Sequence, residues 1–347
     1  MTTRVHPYQG AENRAFWNRS VSDRHFAELA DLWDGMPLTK VDRIATAGSC
    51  FAQHIGNNLR RHGANFLDLE PAPAFLPPES TRHWGYGIFT CRYGNIYTTR
   101  QLVQLFDEAF GERRPLELVW ERDRRCFDAM RPAIDPVGQA NAQTVLALRD
   151  IHLAAVRQMF ETLDLFVMTL GLTEAWMSRK DGTVYPTAPG TIAGAYDPDF
   201  YQFVNFDYAA VLQDMEDFWN RLKTVNPAAR LLLTVSPVPL QATASGQHVL
   251  VATTQSKSIL RAVAGNFCEG RDEAWYFPSY EIITAPTGRG MYYDPDWRNV
   301  NQYGVDYVMT HFFAKLQGDD FGTVADANSP DDEVVCDEEA MFRSIDR

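Results

Sequence analysis

Gly48, Ser49 and Cys50 are the residues whose types and spacing come closest to chemistry in this chain. The run from Arg43 to Ala47 before them is small and strand-like, and after them Phe51, Ile55 and Leu59 recur at helical spacing until Arg60, Arg61 and Gly63 close the segment. Ser49 and Cys50 therefore stand where a strand hands over to a helix N-terminus, beside unpaired backbone N–H groups and the positive end of the dipole. A thiol there ionises more readily, and the same N–H groups can hold the oxyanion of an acyl transfer. The bland alternative is a glycine turn, a serine cap and a small core cysteine.

A nucleophile needs a base. His54 follows Cys50 by one helical turn, and His248 falls in a stretch read as the loop after the fourth strand. His248 is the better placed, since a residue four positions into a helix points away from its start. His6, His25 and His152 read as surface or packing residues.

The 347 residues carry a formal net charge of -13, with no Lys/Arg run to offset it, which argues against nucleic acid as a partner. No apolar segment follows the charged N-terminus, and the longest apolar stretches are far too short to span a bilayer. Five scattered cysteines show neither a disulfide framework nor zinc spacing. A cytoplasmic setting without membrane, metal or organic cofactor is the expectation.

Apolar strand-length runs, Leu165–Leu170 and Arg230–Val235 among them, alternate with amphipathic stretches such as Ala140–Leu163 and Asp207–Val225. This predicts an α/β fold, a three-layer α/β/α sandwich around a mainly parallel central sheet. Shorter strands are expected at Ala64–Leu69 and Trp275–Phe277, and helices at Asp23–Trp33, Thr99–Phe106, Thr254–Asn266 and Tyr303–Leu316. Residues 1–40 read as an N-terminal extension, 41–316 as the domain with insertions at about 71–98, 112–137 and 177–206, and 317–347 as an acidic tail. The last insertion, rich in Gly, Pro and aromatic residues, reads as a long loop suited to a lid or a sugar-binding platform. Sites in such folds gather on loops at the C-terminal edge of the sheet. Gly94 and Asn95 are thus candidate oxyanion donors, equally readable as a glycine turn with an Asx cap, and Gly171, Thr173 and Glu174 follow the β5 run at the same edge, where a carboxylate is more often a simple cap or turn partner.

Gly48-Ser49-Cys50-Phe51-Ala52 is also, letter for letter, the signature of the GSCFA family. Arg92-Tyr93-Gly94-Asn95-Ile96-Tyr97, Thr169-Leu170-Gly171-Leu172-Thr173-Glu174, Ser236-Pro237-Val238-Pro239-Leu240, Ser256-Lys257-Ser258 and Tyr276-Phe277-Pro278-Ser279-Tyr280-Glu281 resemble it too. The resemblance implies an SGNH-type (GDSL-like) hydrolase, which cleaves or transfers acyl esters. Laid on that superfamily's Gly-Asp-Ser block, Cys50 is the nucleophile; shifted by one residue, Ser49 is. The Gly-x-Asn-Asp block would fall on Gly171–Glu174. In the Asp-x-x-His block Asp296 matches the aspartate, whereas Asn299 stands where the histidine should be, which leaves His248 or Asp296 to move the proton.

Three readings follow: an acyl-ester hydrolase or acyltransferase on a small or carbohydrate ester; a catalytically silent module that binds a glycan or a protein; and a Cys50/His248 amide-bond enzyme. Oligomeric state is not legible.

Overall fold

A computed structural model describes residues 6–318 and Phe321, so the acidic tail, with Cys336, falls almost wholly outside the described residues. The first ordered strand is β1 (Met36–Leu38). The expected helix over Asp23–Trp33 is only a 3-10 turn at Phe26–Glu28, because the segment is tied down by side chains: Trp33 stacks on Phe312 at 5.8 Å and its indole N–H donates to His311 O. Next come β2 (Ile44–Gly48) and α1 (Phe51–Arg61), as the sequence predicts. The strand expected at Ala64–Leu69 shrinks to a bridge between Phe66 and Ile44.

α2 (Thr99–Ala109) is capped by Thr98, whose side chain accepts from Gln101 N. β3 (Val119–Arg122) and β4 (Arg125–Asp128) form the expected hairpin. α3 (Ala142–Thr162) leads into β5 (Leu165–Leu170). Within the predicted loop over 177–206 a small second sheet forms, β6 (Glu174–Ser178) pairing with both β7 (Val184–Tyr185) and β8 (Tyr201–Asn205), while 186–200 remains a loop as expected. Its Gly and Pro residues mark the turns between these strands. α4 (Tyr208–Val225), β9 (Arg230–Val235), α5 (Val249–Cys268), β10 (Ala274–Tyr276), α6 (Ser279–Thr284) and α7 (Gln302–Phe313) complete the core. β11 (Leu316–Gly318) returns alongside β1.

The main sheet is parallel, in the order β10-β9-β5-β2, with Phe66 bridging the free side of β2. Side chains alternate across it. Ala45, Ala47, Phe166, Met168, Leu231 and Leu233 join a core built with α2 to α5, while Ile44, Leu165, Val167 and Leu232 join one built with α1, α6 and α7. The fold is thus an α/β/α sandwich with helices on both faces.

Two features fix its geometry. Gly48 ends β2 at φ +138°, and a Cβ there would sit 2.3 Å from Thr169 O. Beside the sheet, α3 and the hairpin enclose a buried ionic cluster. Asp128 accepts from Arg131 at 2.8 Å and Arg149 at 3.1 Å, Arg149 also pairs with Glu108, and His152 Nδ1 donates to Glu70 at 2.6 Å. Burial favours the uncharged forms, but the guanidiniums prevail for Asp128 and His152 prevails for Glu70, both held down to about 2. His152 itself is pushed down to about 4, by burial first and then by Arg131.

Two predictions follow from these features. Gly48→Ala adds overpacking to an unfavourable φ and costs roughly 2–6 kcal/mol by urea unfolding. Gly63→Ala, at φ +75° with open space around it, costs only about 1–2 kcal/mol. Secondly, His152 stays neutral in the fold below its ordinary value of 6.5, while the unfolded chain takes up the proton there. Stability therefore falls as pH drops from 6.5 to 4, before the carboxylates add their own loss on the way to 2. His152→Gln, which keeps a donor for Glu70, removes the upper part of that slope in urea midpoints measured against pH.

Candidate functional site

The sheet places the candidate residues by its topology. β2 and β5 are adjacent, yet the chain leaves them in opposite directions, so a crevice opens beyond their carboxyl ends. Gly48-Ser49-Cys50 occupies one rim and Gly171-Leu172-Thr173-Glu174 the other. Ser49 N donates to Thr169 O at 3.2 Å, and Ser49 Cβ lies 3.0 Å from where a Gly171 Cβ would be, so a side chain at 171 would press the two rims apart by a few tenths of an ångström. The third side is the segment Asn95–Tyr97, with Ile96 N donating to Gly48 O at 2.9 Å and Leu172 N to Tyr97 O at 2.8 Å.

Cys50 stands at the start of α1 in helical conformation, 4% exposed, and joins the apolar cluster of the α1, α6 and α7 face. Ser49, 3% exposed, turns toward Gly171, and its Oγ finds no hydrogen-bond partner among the described residues. A buried hydroxyl left so costs about 1–3 kcal/mol, the sort of exception that functional sites carry.

The remaining candidates divide. Asn95 is buried, its Oδ1 accepting from Gln53 of α1 at 3.4 Å, and with Gly94 it lines a cavity of about 40 Å³, room for water but not for a substrate. Thr173 commits its hydroxyl proton to Asn205 Oδ1 at 2.7 Å. Glu174, 9% exposed, accepts from Thr243 Oγ1 at 2.8 Å, and burial raises its pKa.

His248 is exposed and caps α5, which starts earlier than the sequence suggests; its Nδ1 accepts Leu250 N–H at 3.2 Å, so in the neutral ring Nε2 carries the proton. Asp296 and Asn299 close on one another, Asn299 Nδ2 donating to Asp296 Oδ2 at 2.7 Å inside a turn that also takes the Arg298 and Asn299 N–H groups. That turn is tied to the end of β9 by Tyr293, whose hydroxyl donates to Pro237 O at 3.0 Å. His54 packs edge-on against Phe51 along α1.

Sequence reasoning passed over Lys257 as a site residue. It is 1% exposed on α5, and its Nζ donates to Gly171 O at 2.7 Å, while the neighbouring Ser256 Oγ accepts from Thr173 N at 3.1 Å. The signal was there. Ala252, Ser256, Leu260, Val263 and Phe267 trace the buried stripe of α5, and Lys257 falls on it. A long cationic residue on a buried stripe requires an acceptor, and the nearest strand end supplies one.

No group of His, Cys, Asp and Glu among the described residues has the arrangement of a metal site, and no described helix is long and apolar enough to cross a membrane.

Comparison with known proteins gives one match. The pattern of the GSCFA family covers residues 43–312, from the start of β2 nearly to the end of α7. No curated protein and no solved structure matches. The matched span holds the whole parallel sheet and every element of the crevice, and the chain belongs to the GSCFA family.

Proposed function

We propose that this chain transfers an acyl group, as an SGNH-type ester hydrolase or acyltransferase acting on an O-acylated carbohydrate or similar small ester. The observation that supports the reading is Ser49, buried against the Gly171 rim of β5 with its Oγ unpartnered among the described residues, followed directly by Cys50 at the start of α1. Cys50 Sγ attacks the ester carbonyl. The carbonyl electrons move onto oxygen, where backbone N–H groups at the head of α1 favour the anion. Collapse expels the alkoxide, which ends with the thiol proton, and leaves a thioester. Water or a second alcohol then attacks that thioester, releasing acid or new ester and restoring the thiol. Lys257, holding Gly171 O, keeps the β5 rim in register.

The Asp296–Asn299 pair favours a second reading, a module that binds a glycan or partner protein without turnover. With Asn299 where the histidine would be, and its amide committed to Asp296, that turn offers no imidazole base.

The test is turnover of p-nitrophenyl esters of increasing acyl length by wild type, Cys50→Ala, Ser49→Ala and Asn299→His proteins, each shown to be folded. The proposal expects Cys50→Ala to lose about 10³-fold in kcat/KM, with a smaller loss for Ser49→Ala. A dominant Ser49→Ala loss moves the nucleophile by one residue. An inert wild type awakened by Asn299→His favours the binding module.

A further inference from the structure

We propose that the cavity between the β7-β6-β8 sheet and the loop after β9 binds a ring-sized primary amine, its ammonium held by Glu174 among the faces of Trp176, Tyr185 and Phe203. The cavity, about 200 Å³, is lined by all four residues together with Leu240 and Thr243. An apolar cavity of about 150 Å³ takes a benzene ring, so this one has room for a six-membered ring bearing small substituents.

Its chemistry follows from strand register. Trp176 of β6 pairs directly with Tyr185 of β7 on one side and Phe203 of β8 on the other, which puts three aromatic rings in one row across the sheet. Trp176 and Phe203 meet edge to face at 6.0 Å. Glu174 precedes Trp176 by two residues on the same strand, and so faces the same side.

Glu174 is 9% exposed as a residue, and its carboxyl receives the hydroxyl of Thr243 and the N–H of Ala244. No cation pairs with it among the described residues, and burial raises its pKa as a consequence. A carboxylate so placed gains most from a positive charge, and the aromatic faces around it attract the same charge. A neutral sugar would stack on the rings equally well but would leave the carboxylate without a counter-ion.

Leu172, the residue after Gly171, is among the lining residues, so the cavity adjoins the β5 rim that meets Ser49. That the amine belongs to the molecule gaining or losing the acyl group rests on the function proposed above; the amine site itself does not.

Calorimetric titration with cyclohexylamine and glucosamine, against cyclohexanol and glucose as neutral counterparts, tests it. Wild type should prefer each amine by about tenfold or more. Glu174→Gln should abolish that preference, Phe203→Leu should weaken amine binding several-fold, and Cys50→Ala should bind amines as wild type does. Equal binding of amine and neutral counterpart, a preference surviving in both Glu174→Gln and Phe203→Leu, or no binding by folded wild type overturns the proposal. Amine binding by a protein that turns over no ester leaves this site standing and removes the acyl-transfer reading. Ester turnover without amine binding does the reverse.

Discussion

The approach of β2 to β5 governs the rest of the molecule. Gly48 lies so close to the Thr169 backbone that no side chain fits between the two strands at their carboxyl ends. The tight contact turns the chain sharply into α1 and brings Ser49 and Cys50 to the crevice. Gly171 repeats the device on the other rim, against Ser49 Cβ and Tyr97 O. Two glycines therefore line the approach of the rims, Gly48 with far the tighter contact.

Around this contact the protein uses charge where an apolar wall would have sufficed for stability. Glu70, Glu108, Asp128, Arg131, Arg149 and His152 are all buried or nearly so, and they join four separate segments: the loop before the crevice, α2, the hairpin and α3. Buried ion pairs are weak evidence of stability, since desolvation offsets most of the attraction. What they confer here is direction. Arg131 also donates to Arg92 O at 2.9 Å and Glu70 accepts from Arg92 N, so the cluster grips the backbone just before Tyr93-Gly94-Asn95. The segment that forms the third side of the crevice is thereby held by hydrogen bonds of fixed geometry.

Sequence reading recovered what local rules determine. The continuous apolar runs of β5 and β9 and the stripe of α3 need no tertiary information, and the Gly48 turn announces itself by composition. The β7-β6-β8 sheet was missed because its strands are short and carry no clean alternation; Trp176, Tyr185 and Phe203 acquire meaning only once register sets them side by side. The helix expected at Asp23–Trp33 failed for the opposite reason, a helical pattern overridden by the contacts of Trp33 with Phe312 and His311 O. Gly94 and Asn95 were candidates by their place at the sheet edge, but that Asn95 Oδ1 accepts from Gln53 is a long-range fact that spacing could not supply.

The absence of a histidine at position 299 fits this architecture better than it first suggests. A serine nucleophile requires its base within hydrogen-bond reach, and in the SGNH pattern on which the proposed reading rests the loop before the last helix delivers it. Here that loop spends its polar groups on itself: Asp296 caps its own turn and takes the Asn299 amide, and Tyr293 anchors the loop to Pro237 O. A thiol at a helix start in general depends less on a base, and Cys50 stands at such a start, although 4% exposed among the apolar side chains of the α1, α6 and α7 face. The Asp296 loop thus closes on its own polar groups, whereas Glu174, with Thr243 and Ala244 as its hydrogen-bond donors, stays turned to the cavity that Trp176, Tyr185 and Phe203 line beyond β5.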